Sequence, residues 1–495
     1  MNNYITTPIY YASGEPHLGH AYTTFLADCY KRYKCLQGGE AFLLTGTDEH
    51  GQKIERLANA ANQPAIDFVA QRSQAFRDLW QTLNIDLNRF CRTTDSLHIA
   101  AAIKFWSILK DAGDIYQGTY SGLYCVDCEQ YFTTGDICPV HKKPLENFTE
   151  DCWFFRLSKY QNKLIAHIEA NPAFIIPVQR ANEVLAFLRD QPLRDLAVSR
   201  QSTQWGIPVP EDEGQVLYVW IDALVSYISA IGYGPNEADD FKSLWQNTTH
   251  FIGKDILLFH AIYWPALLLS ANLALPKHLV VNGWLTIENQ KISKSNPDTI
   301  INPTELSDIY TVDGLRYYFL RTIGIGADLN FNPAHITETL NADLANNVGN
   351  LASRVCGLAE KYLQGHVTQI NNQVSQLDVE ATLEKYNSAF KQYKLSDALR
   401  ATIDYSTSIN QYLQFTAPWK EVDPDVRQDT LWQACNAIEN LAILLSPFTP
   451  NIARKLLAAL GIVAQPSVKQ LFSEQHSFKL SVKVPIFPRI ENRSE

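Results

Sequence analysis

The sequence has no excess of positive charge and few charged residues overall. Of its 495 residues, 42 are Lys or Arg and 52 are Asp or Glu, which gives a formal net charge of −10. A protein whose whole surface coats nucleic acid is therefore excluded, although a local basic face for a selective partner is not. Hydrophobic residues make up 46% of the chain, which excludes disordered and fibrous proteins.

Cysteines are few and unevenly distributed. The chain has nine, an odd number, and three of them lie close together at positions 125, 128 and 138. This pattern excludes a disulfide framework and indicates a reduced cytosol with one metal site. The first residues also lack the basic and apolar regions of a signal peptide, so we expect a cytoplasmic protein.

One long uncharged run, residues 256–276, imitates a membrane span. His260, Trp264, Pro265 and Asn272 interrupt it. Because polar groups in lipid need partners, a buried helix under an active site is favoured over a membrane helix, and no membrane partner is expected.

The first part of the chain has the alternation of an α/β domain, and the length suggests about three domains. Tyr4–Ile9 and Glu40–Leu44 are predicted strands, and Ala21–Cys35 between them is a predicted helix. This order implies a parallel sheet with ligands at its carboxyl ends. Further strands are predicted at Val216–Trp220, His250–Ile252 and Leu279–Val281.

Two other regions differ from this alternation. Asp114–Trp153 contains Gly and Cys and predicts short loops inserted into the α/β domain. Beyond about residue 340, spaced apolar residues predict an all-α domain with helices in Ala342–Leu363, Val379–Thr416 and Gln428–Leu445.

The turn after the first strand carries two histidines, in His17-Leu18-Gly19-His20. Backbone N–H groups and the helix dipole favour an anion at such a helix start, and the imidazoles add donors that suit a phosphate. Gly19 lets a nucleotide approach the backbone closely. The motif alone is weak, since a structural or metal-binding role explains it equally well.

A second motif, Lys291-Ile-Ser-Lys294-Ser, follows a strand-like segment that starts at Gly283. Two lysines on a Ser-rich loop suit a triphosphate, although a solvated basic loop is the safer interpretation of any such charge pair taken alone. His20 and Lys291 are 271 positions apart, and together the two motifs resemble the signatures of class I aminoacyl-tRNA synthetases.

Within that class the chain resembles the methionyl-tRNA synthetases over nearly its whole length. The stretches that carry the resemblance are Thr-Pro-Ile-Tyr-Tyr-Ala before the histidines, Gly46–Gly51, Tyr218–Ala223, His250–Ile256 and Ala417–Lys420. The resemblance implies a Rossmann-like parallel-sheet catalytic domain with a zinc-knuckle insertion, followed by an all-α anticodon-binding helix bundle. The expected segments are 1–113 and 206–280 (catalytic halves), 114–205 (insertion), 281–342 (the linking domain of the lysine loop) and 343–495 (anticodon binding).

The resemblance also implies a methionine pocket. Asp48 is expected to hold the substrate ammonium through a charge-assisted hydrogen bond. The expected side-chain pocket consists of Ile9, Tyr11, Trp220, Leu224, Tyr227, Ile256, Phe259 and His260. Aromatic faces suit a polarisable thioether, although each aromatic taken singly could be ordinary core. Leu224 stands where relatives often have proline.

The spacing of Cys125, Cys128, Cys138 and His141 predicts a tetrahedral zinc site. With four protein ligands and no open position, this single Zn²⁺ should be structural. The alternative is four unligated residues. Cys152 lies nearby outside the pattern and has no assigned role.

Asn350, Arg354 and Trp419 match the positions at which the family reads a CAU anticodon. Asn350 and Arg354 are four apart on a predicted helix, and Trp419 follows Pro418 at an apparent helix start. An amide, a guanidinium and an indole suit splayed bases. The residues alone would favour capping and core packing instead.

The implied activity is formation of methionyl-adenylate from methionine and ATP, followed by transfer to the terminal adenosine of tRNA(Met). His17 and His20 would support the phosphates, Lys291 and Lys294 the leaving pyrophosphate, and Gly19, Gly253 and Asp255 the nucleotide, with Mg²⁺ accompanying ATP. The interval between the motifs has no room for a hydrolytic editing domain. A monomer is favoured, because the chain ends without an added β-barrel.

Two other functions stay open at this point. A small-molecule nucleotidylyltransferase shares the histidine turn but does not need a long helical domain. A non-catalytic tRNA-binding relative would not need both histidines and both lysines.

Overall fold

The computed structural model describes residues 2–125, 130–132, 135–138, 142–287, 290–291, 301–370, 377, 379–463, 466–472, 477–481 and 485–491. The strands are β1 (Asn3–Tyr11), β2 (Ala41–Asp48), β3 (Arg89–Arg92), β4 (Ile115–Cys125), β5 (Gln130–Phe132), β6 (Glu146–Phe155), β7 (Ile175–Ile176), β8 (Leu196–Ala197), β9 (Ser199–Arg200), β10 (Pro208–Val209), β11 (Asp212–Leu217), β12 (Thr248–Gly253), β13 (His278–Asn282), β14 (Leu285–Ile287), β15 (Gln290–Lys291), β16 (Leu329–Asn330), β17 (His366–Thr368) and β18 (Ser477–Lys479).

The α-helices are α1 (Leu18–Leu36), α2 (Gln52–Ala60), α3 (Ala65–Thr82), α4 (Ser96–Asp111), α5 (Gln161–Ala170), α6 (Val178–Asp190), α7 (Val219–Ser229), α8 (Asp239–Trp245), α9 (Trp264–Ser270), α10 (Pro303–Tyr310), α11 (Val312–Thr322), α12 (Pro333–Leu340), α13 (Asn350–Leu363), α14 (Glu380–Lys391), α15 (Leu395–Thr416), α16 (Pro424–Leu445) and α17 (Pro450–Ala459). The chain divides into two compact units. The first comprises Met1–Ala27, Ala41–Trp284 and Lys291–Ile301, and the second comprises Asp28–Glu40, Leu285–Gln290 and Asn302–Glu495.

A six-stranded parallel sheet forms the centre of the first unit, in the order β3-β2-β1-β12-β13-β7. The predicted strands near residues 4–9, 40–44, 250–252 and 279–281 and the predicted helix after the histidine turn are confirmed within a few residues. β1 and β12 are neighbours in space although about 240 positions separate them, as the pairing of Tyr4 with Thr248 shows. Successive residues of β1 and β12 are buried, and because they point to opposite faces, both faces of the sheet are covered there.

The prediction of short loops over Asp114–Trp153 was partly wrong, because most of the described residues there belong to strands. β4 and β6 form a long antiparallel ladder that runs from the Ile115–Phe155 pair to the Tyr124–Glu146 pair. The glycines that suggested loops instead make room for aromatic rings. A Cβ atom on Gly118 would lie 3.0 Å from the Phe154 ring.

The predicted strand at Val216–Trp220 is also partly wrong. β11 ends at Leu217, and α7 begins at Val219. A short apolar run that is buried on all sides has no helical or strand periodicity, so sequence could not distinguish the two. Asp222 in the first turn favours the helix through the macrodipole.

The uncharged run at 256–276 contains a π-helical segment (Phe259–Tyr263) and the short helix α9, and most of its apolar side chains are buried. This confirms the expectation of a buried segment, although it is broken into pieces and is not one helix. Among the described residues, no helix is long and apolar enough to cross a membrane.

The second unit is mainly helical, as predicted, and a buried ion pair lies in its core. Arg316 of α11 contacts Asp28 at 2.6 Å, and both side chains are fully buried. The same guanidinium donates to the carbonyls of Pro447 and Phe448, just after α16. These contacts join three segments of the chain. Loss of one partner of the ion pair would leave an uncompensated buried charge.

Glu439 of α16 is a buried carboxylate whose burial raises its pKa from 4.5 to about 7. Between these values the folded chain binds a proton that the unfolded chain has released, so stability falls as pH rises through this window. Glu439→Gln, which cannot ionise, should raise stability by about 1–3 kcal/mol at pH 8 and hardly change it at pH 4.5.

Thermal unfolding at both pH values checks this prediction, with Glu384→Gln, an exposed glutamate of α14, as the matched control. An equal effect of Glu439→Gln at both pH values would show that burial of the charge is not its cause.

Candidate active site

The carboxyl ends of four parallel strands form one edge of the sheet in the first unit. Tyr11 at the end of β1 pairs with Asp48 at the end of β2, and Gly253 at the end of β12 pairs with Asn282 at the end of β13. α1 leads from β1 to β2 on one side, whereas β12 lies on the other side of β1. Open α/β sheets bind ligands at such a switch point.

The histidine turn opens α1 next to this edge. The backbone N–H of His17 donates to Nδ1 of His20 at 3.0 Å, and that of Gly19 donates to Nδ1 of His17 at 3.1 Å. Because each Nδ1 accepts, each neutral imidazole carries its hydrogen on Nε2. The rings stack with centroids 3.7 Å apart, which places two N–H donors at a helix start.

Two aromatic rings that sequence reasoning missed orient His20. Tyr10 packs against it at 4.7 Å between centroids, and Phe76 of α3 contacts it edge-on at 5.2 Å. Tyr10 is itself held by a 2.9 Å hydrogen bond to Thr24, and burial raises its pKa to about 12. Tyr10 could have been suspected from its position beside the motif, but Phe76 has no local signal.

The aromatic residues predicted for the pocket are in mutual contact. Trp220 at the start of α7 stacks on Phe259 with ring centroids 3.6 Å apart, and Tyr11 meets Trp220 edge-on at 6.5 Å. Trp220 and Phe259 are buried. The structure thus brings together three segments of the chain that are far apart in sequence.

His260 is a neutral member of this cluster. Its Nδ1–H donates to the carbonyl of Ile256 at 2.9 Å, and its Nε2 accepts the hydroxyl hydrogen of Tyr227 at 2.7 Å. Burial lowers the pKa of His260 to about 4, so the ring is uncharged at neutral pH. An uncharged aromatic wall suits an apolar, polarisable side chain.

Of the other three predicted pocket residues, two lie on β1 and α7 and the third lies on β2. Asp48 is buried at the end of β2, Ile9 is half-buried on β1 opposite Gly46, and Leu224 is buried on α7 one turn after Trp220. Their assignment to the pocket stays a prediction.

Gly253 and Asp255 follow β12 at the sheet edge. A Cβ atom on Gly253 would lie 2.6 Å from Oδ1 of Asp255, so a larger residue there would displace this carboxylate. The same oxygen accepts from Nε1 of Trp284 at 3.2 Å, and the ammonium of Lys254 lies 4.0 Å above the Trp284 ring. Lys254 and Trp284 were missed because their contact depends on strand pairing.

Several predicted residues cannot be placed. Lys294, Cys128 and His141 lie outside the described residues, and only the backbone of Lys291 is described, in β15. Cys125 and Cys138 are both buried. Within the described part of the chain, no cluster of three or more candidate ligands forms a metal site.

In the second unit, two of the residues predicted to read the anticodon, Arg354 and Trp419, lie in contact. The guanidinium carbon lies 5.3 Å from the indole ring, and both side chains line a shallow cavity of about 440 Å³ with Ser353, Gly357 and Leu358. Asn350 is exposed and lines the adjoining cavity of about 430 Å³, and Ser353 borders both.

The expected helix start at Trp419 was wrong. α15 ends at Thr416, Ala417 adopts a left-handed conformation, and Trp419 lies in a turn before α16 begins at Pro424. Pro418 follows a helix end here, the other position where proline is common. Arg427 holds the turn by donating from Nε to the Pro418 carbonyl at 3.0 Å, a role with no sequence signal.

Both sites include a π-helical segment. Phe259–Tyr263 carries two pocket residues, and Asn341–Gly349 runs directly into α13 at Asn350. Such segments are rare and often occur at functional sites, where they re-aim side chains.

Comparisons with known proteins agree with this geometry. A family model described as tRNA synthetases class I (M) matches residues 3–152 and 136–356, and one described as the anticodon binding domain of methionyl tRNA ligase matches residues 364–486. These matches define the class as the class I aminoacyl-tRNA synthetases.

Individual relatives and solved structures narrow the family assignment within this class. Methionine–tRNA ligases of Rickettsia felis and Clostridium acetobutylicum are each 39% identical over 99% of the chain, covering 98% and 78% of their own lengths. The structure of Mycobacterium tuberculosis methionyl-tRNA synthetase in complex with methionyl-adenylate superposes with a TM-score of 0.94 at 35% identity, covering 99% of this chain and 100% of its own. This chain belongs to the methionyl-tRNA synthetase family. The small-molecule nucleotidylyltransferase alternative is therefore set aside.

The Tyr227–His260 hydrogen bond is open to a direct test. Tyr227→Phe leaves Nε2 of the buried His260 without its donor, and we expect a loss of about 1–2 kcal/mol in the free energy of unfolding. Denaturant unfolding measures this loss.

Tyr233→Phe is the matched control. The Tyr233 hydroxyl is buried without a hydrogen-bond partner in the described structure, so its removal should cost little. Equal losses in the two variants would contradict the assigned hydrogen bond.

Proposed function

We propose that this chain activates methionine with ATP and transfers the methionyl group to a tRNA with a CAU anticodon. The observation that carries the proposal is the edge of the parallel sheet, where the paired histidines and the uncharged aromatic cluster lie in one compact unit. The name and bound adenylate of the Mycobacterium tuberculosis structure support it.

In the first step the methionine carboxylate attacks the α-phosphorus of ATP, and the bond to the bridging oxygen of pyrophosphate breaks. No protein nucleophile is needed, so the chain contributes positioning and charge stabilisation. The Nε2–H groups of His17 and His20 donate to phosphate oxygens as charge builds there. Lys291 and Lys294 neutralise the leaving pyrophosphate.

The remaining residues hold the substrates. Asp48 binds the methionine ammonium, and the cluster around Trp220 packs on the thioether. Gly19, Gly253 and Asp255 bind the adenosine side of ATP, which arrives as its Mg²⁺ complex. In the second step the terminal ribose hydroxyl of the tRNA attacks the methionyl carbonyl, and AMP leaves.

The zinc site is part of the proposal. Cys125, Cys128, Cys138 and His141 would hold Zn²⁺, and burial of the two described thiols fits a closed site that stabilises the insertion. The second unit would read the anticodon, with Trp419 and Arg354 stacking on bases and Asn350 bonding a base edge. The monomeric state, the cytoplasmic location and the five-segment division remain predictions from sequence.

Pyrophosphate exchange into ATP, measured with each of the twenty amino acids and without tRNA, tests the function. Exchange with methionine alone is expected. Exchange with another amino acid would overturn the pocket assignment, and no exchange in zinc-loaded protein would favour a non-catalytic tRNA-binding member of the family.

Gly19→Ala tests the histidine turn. The added Cβ would lie 3.0 Å from Cε1 of His17 and push that ring, so kcat of exchange should fall about 10-fold or more with the methionine KM unchanged. Gly234→Ala, where a Cβ meets nothing within 4 Å, is the control. Unchanged kcat in Gly19→Ala would remove the ring position from the mechanism.

Trp419→Ala tests anticodon reading. The exchange rate should be preserved, whereas kcat/KM for tRNA charging should fall about 10-fold or more, because stacking is worth about 1–3 kcal/mol per base. Trp419→Phe, which keeps a stacking ring, should recover part of the loss. Equal losses of exchange and charging in Trp419→Ala would indicate folding damage instead.

Metal analysis tests the zinc assignment. The purified chain should hold one zinc, and Cys138→Ser should lose it and unfold at a lower temperature. Cys152→Ser removes a nearby buried thiol outside the motif and should retain the metal. Full zinc retention in Cys138→Ser would refute the ligand set.

A further inference from the structure

Three polar side chains from separate segments of the first unit meet in its core. His50 lies two residues after Asp48, Asp222 lies two residues after Trp220, and His98 belongs to α4. Nδ1 of His50 is 2.7 Å from one oxygen of Asp222, and Nε2 of His98 is 2.6 Å from the other. All three side chains are buried.

The charge on Asp222 fixes the direction of the two hydrogen bonds that it makes. Burial alone would raise the pKa of Asp222, but the two imidazoles outweigh it and lower the value to about 2. Burial alone would lower the pKa of His98, but its interactions with Asp222 and Cys91 raise it to about 10. An ionised carboxylate only accepts, so both imidazoles donate to it.

His98 also ties the cluster to the far end of α7. Its Nδ1 lies 2.8 Å from the hydroxyl oxygen of Ser229, and that oxygen lies 3.4 Å from the Ser226 carbonyl. α4 is therefore bonded to both the first and the last turn of α7. Both oxygens of Asp222 therefore have a hydrogen-bond partner, and paired groups in a buried network restrain one another.

The loop that carries His50 is held on its other side as well. Glu49 accepts from Nε of Arg92 at 2.8 Å and from the Thr47 hydroxyl at 2.7 Å. Nε1 of Trp205 donates to the Glu49 carbonyl at 2.6 Å, and the Trp205 ring meets His50 edge-on at 5.4 Å. The end of β2 is thus fixed on one side by these contacts and on the other by Asp222.

We propose that His50, Asp222 and His98 form a positioning unit that sets the separation of Asp48 from Trp220 and thereby the affinity for methionine. Two residues span at most about 7 Å of chain, so neither Asp48 nor Trp220 can move far while the His50–Asp222 bond holds. The ammonium and the thioether are at opposite ends of methionine, so their two binding groups must keep one spacing. The proposal rests on the proposed function, in which Asp48 binds the ammonium.

The test separates positioning from mere stability. Asp222→Asn keeps the shape but replaces one acceptor by an amide that faces an imidazole donor. The methionine KM in pyrophosphate exchange should rise about 10-fold or more, while the ATP KM stays within about 2-fold.

Asp114→Asn is the matched control. Asp114 is a buried carboxylate of the same unit that accepts from Lys159 and Ser270, each at 2.7 Å, and from Tyr160. The Asp114→Asn substitution should lower the unfolding temperature without changing the methionine KM. If Asp222→Asn behaves in the same way, the cluster is only structural and the proposal is overturned.

His50 supplies a second, milder test should Asp222→Asn fail to fold. His50→Asn retains an N–H donor near the position of Nδ1, and its methionine KM should stay within about 3-fold of the unmodified chain, whereas His50→Ala should raise it about 10-fold. Equal KM values in the two variants would overturn the proposal. If the unmodified chain shows no methionine-dependent exchange, the proposed function has failed, which is a different result.

Discussion

The parallel pairing of β1 with β12 is the contact on which the site depends. It joins segments about 240 residues apart, and the hydroxyl of Thr6 lies 2.7 Å from Nδ1 of His250 across the pair. Without it, the histidine turn that follows β1 and the segment from Gly253 to His260 would not share an edge. Because parallel strands all end at the same side, one pairing aligns every group that follows a strand.

The first unit separates charged from uncharged polar groups. His260 accepts a hydrogen bond from the Tyr227 hydroxyl and donates one to a backbone carbonyl, so the aromatic cluster stays neutral. Elsewhere in this unit the buried Asp222 carboxylate has a histidine on each of its oxygens, which offsets the cost of burying its charge. A thioether pocket needs the first arrangement, since a charge in its wall would favour water over an apolar ligand.

Sequence predicted the elements whose signals are local. β1, α1 and the helical second unit follow from apolar periodicity and from the turn at Gly19, and the family follows from motifs that remain contiguous in the chain. The errors share one physical origin, which is that packing against distant segments overrides the local signal. Gly118 leaves room for an aromatic ring on β6, and α7 is buried on every side. Pro418 follows the end of a helix where it was expected to begin one.

The contacts that complete the sites could not be predicted in this way. Phe76 reaches His20, His98 reaches Asp222 and Arg427 reaches Pro418 only after distant segments have packed. The spacing of residues in one sequence does not encode such contacts. The nine residues of the methionine pocket could be assigned only because the family resemblance supplied their positions.

A crystal structure of the full chain with a methionyl-adenylate analogue is the most direct test of the account. The account predicts the ammonium within hydrogen-bond distance of Asp48, the thioether against Trp220 and Phe259, and the phosphate beside Nε2 of His17 and His20. An analogue bound with its side chain outside the aromatic cluster, or its phosphate away from the histidine turn, would contradict it.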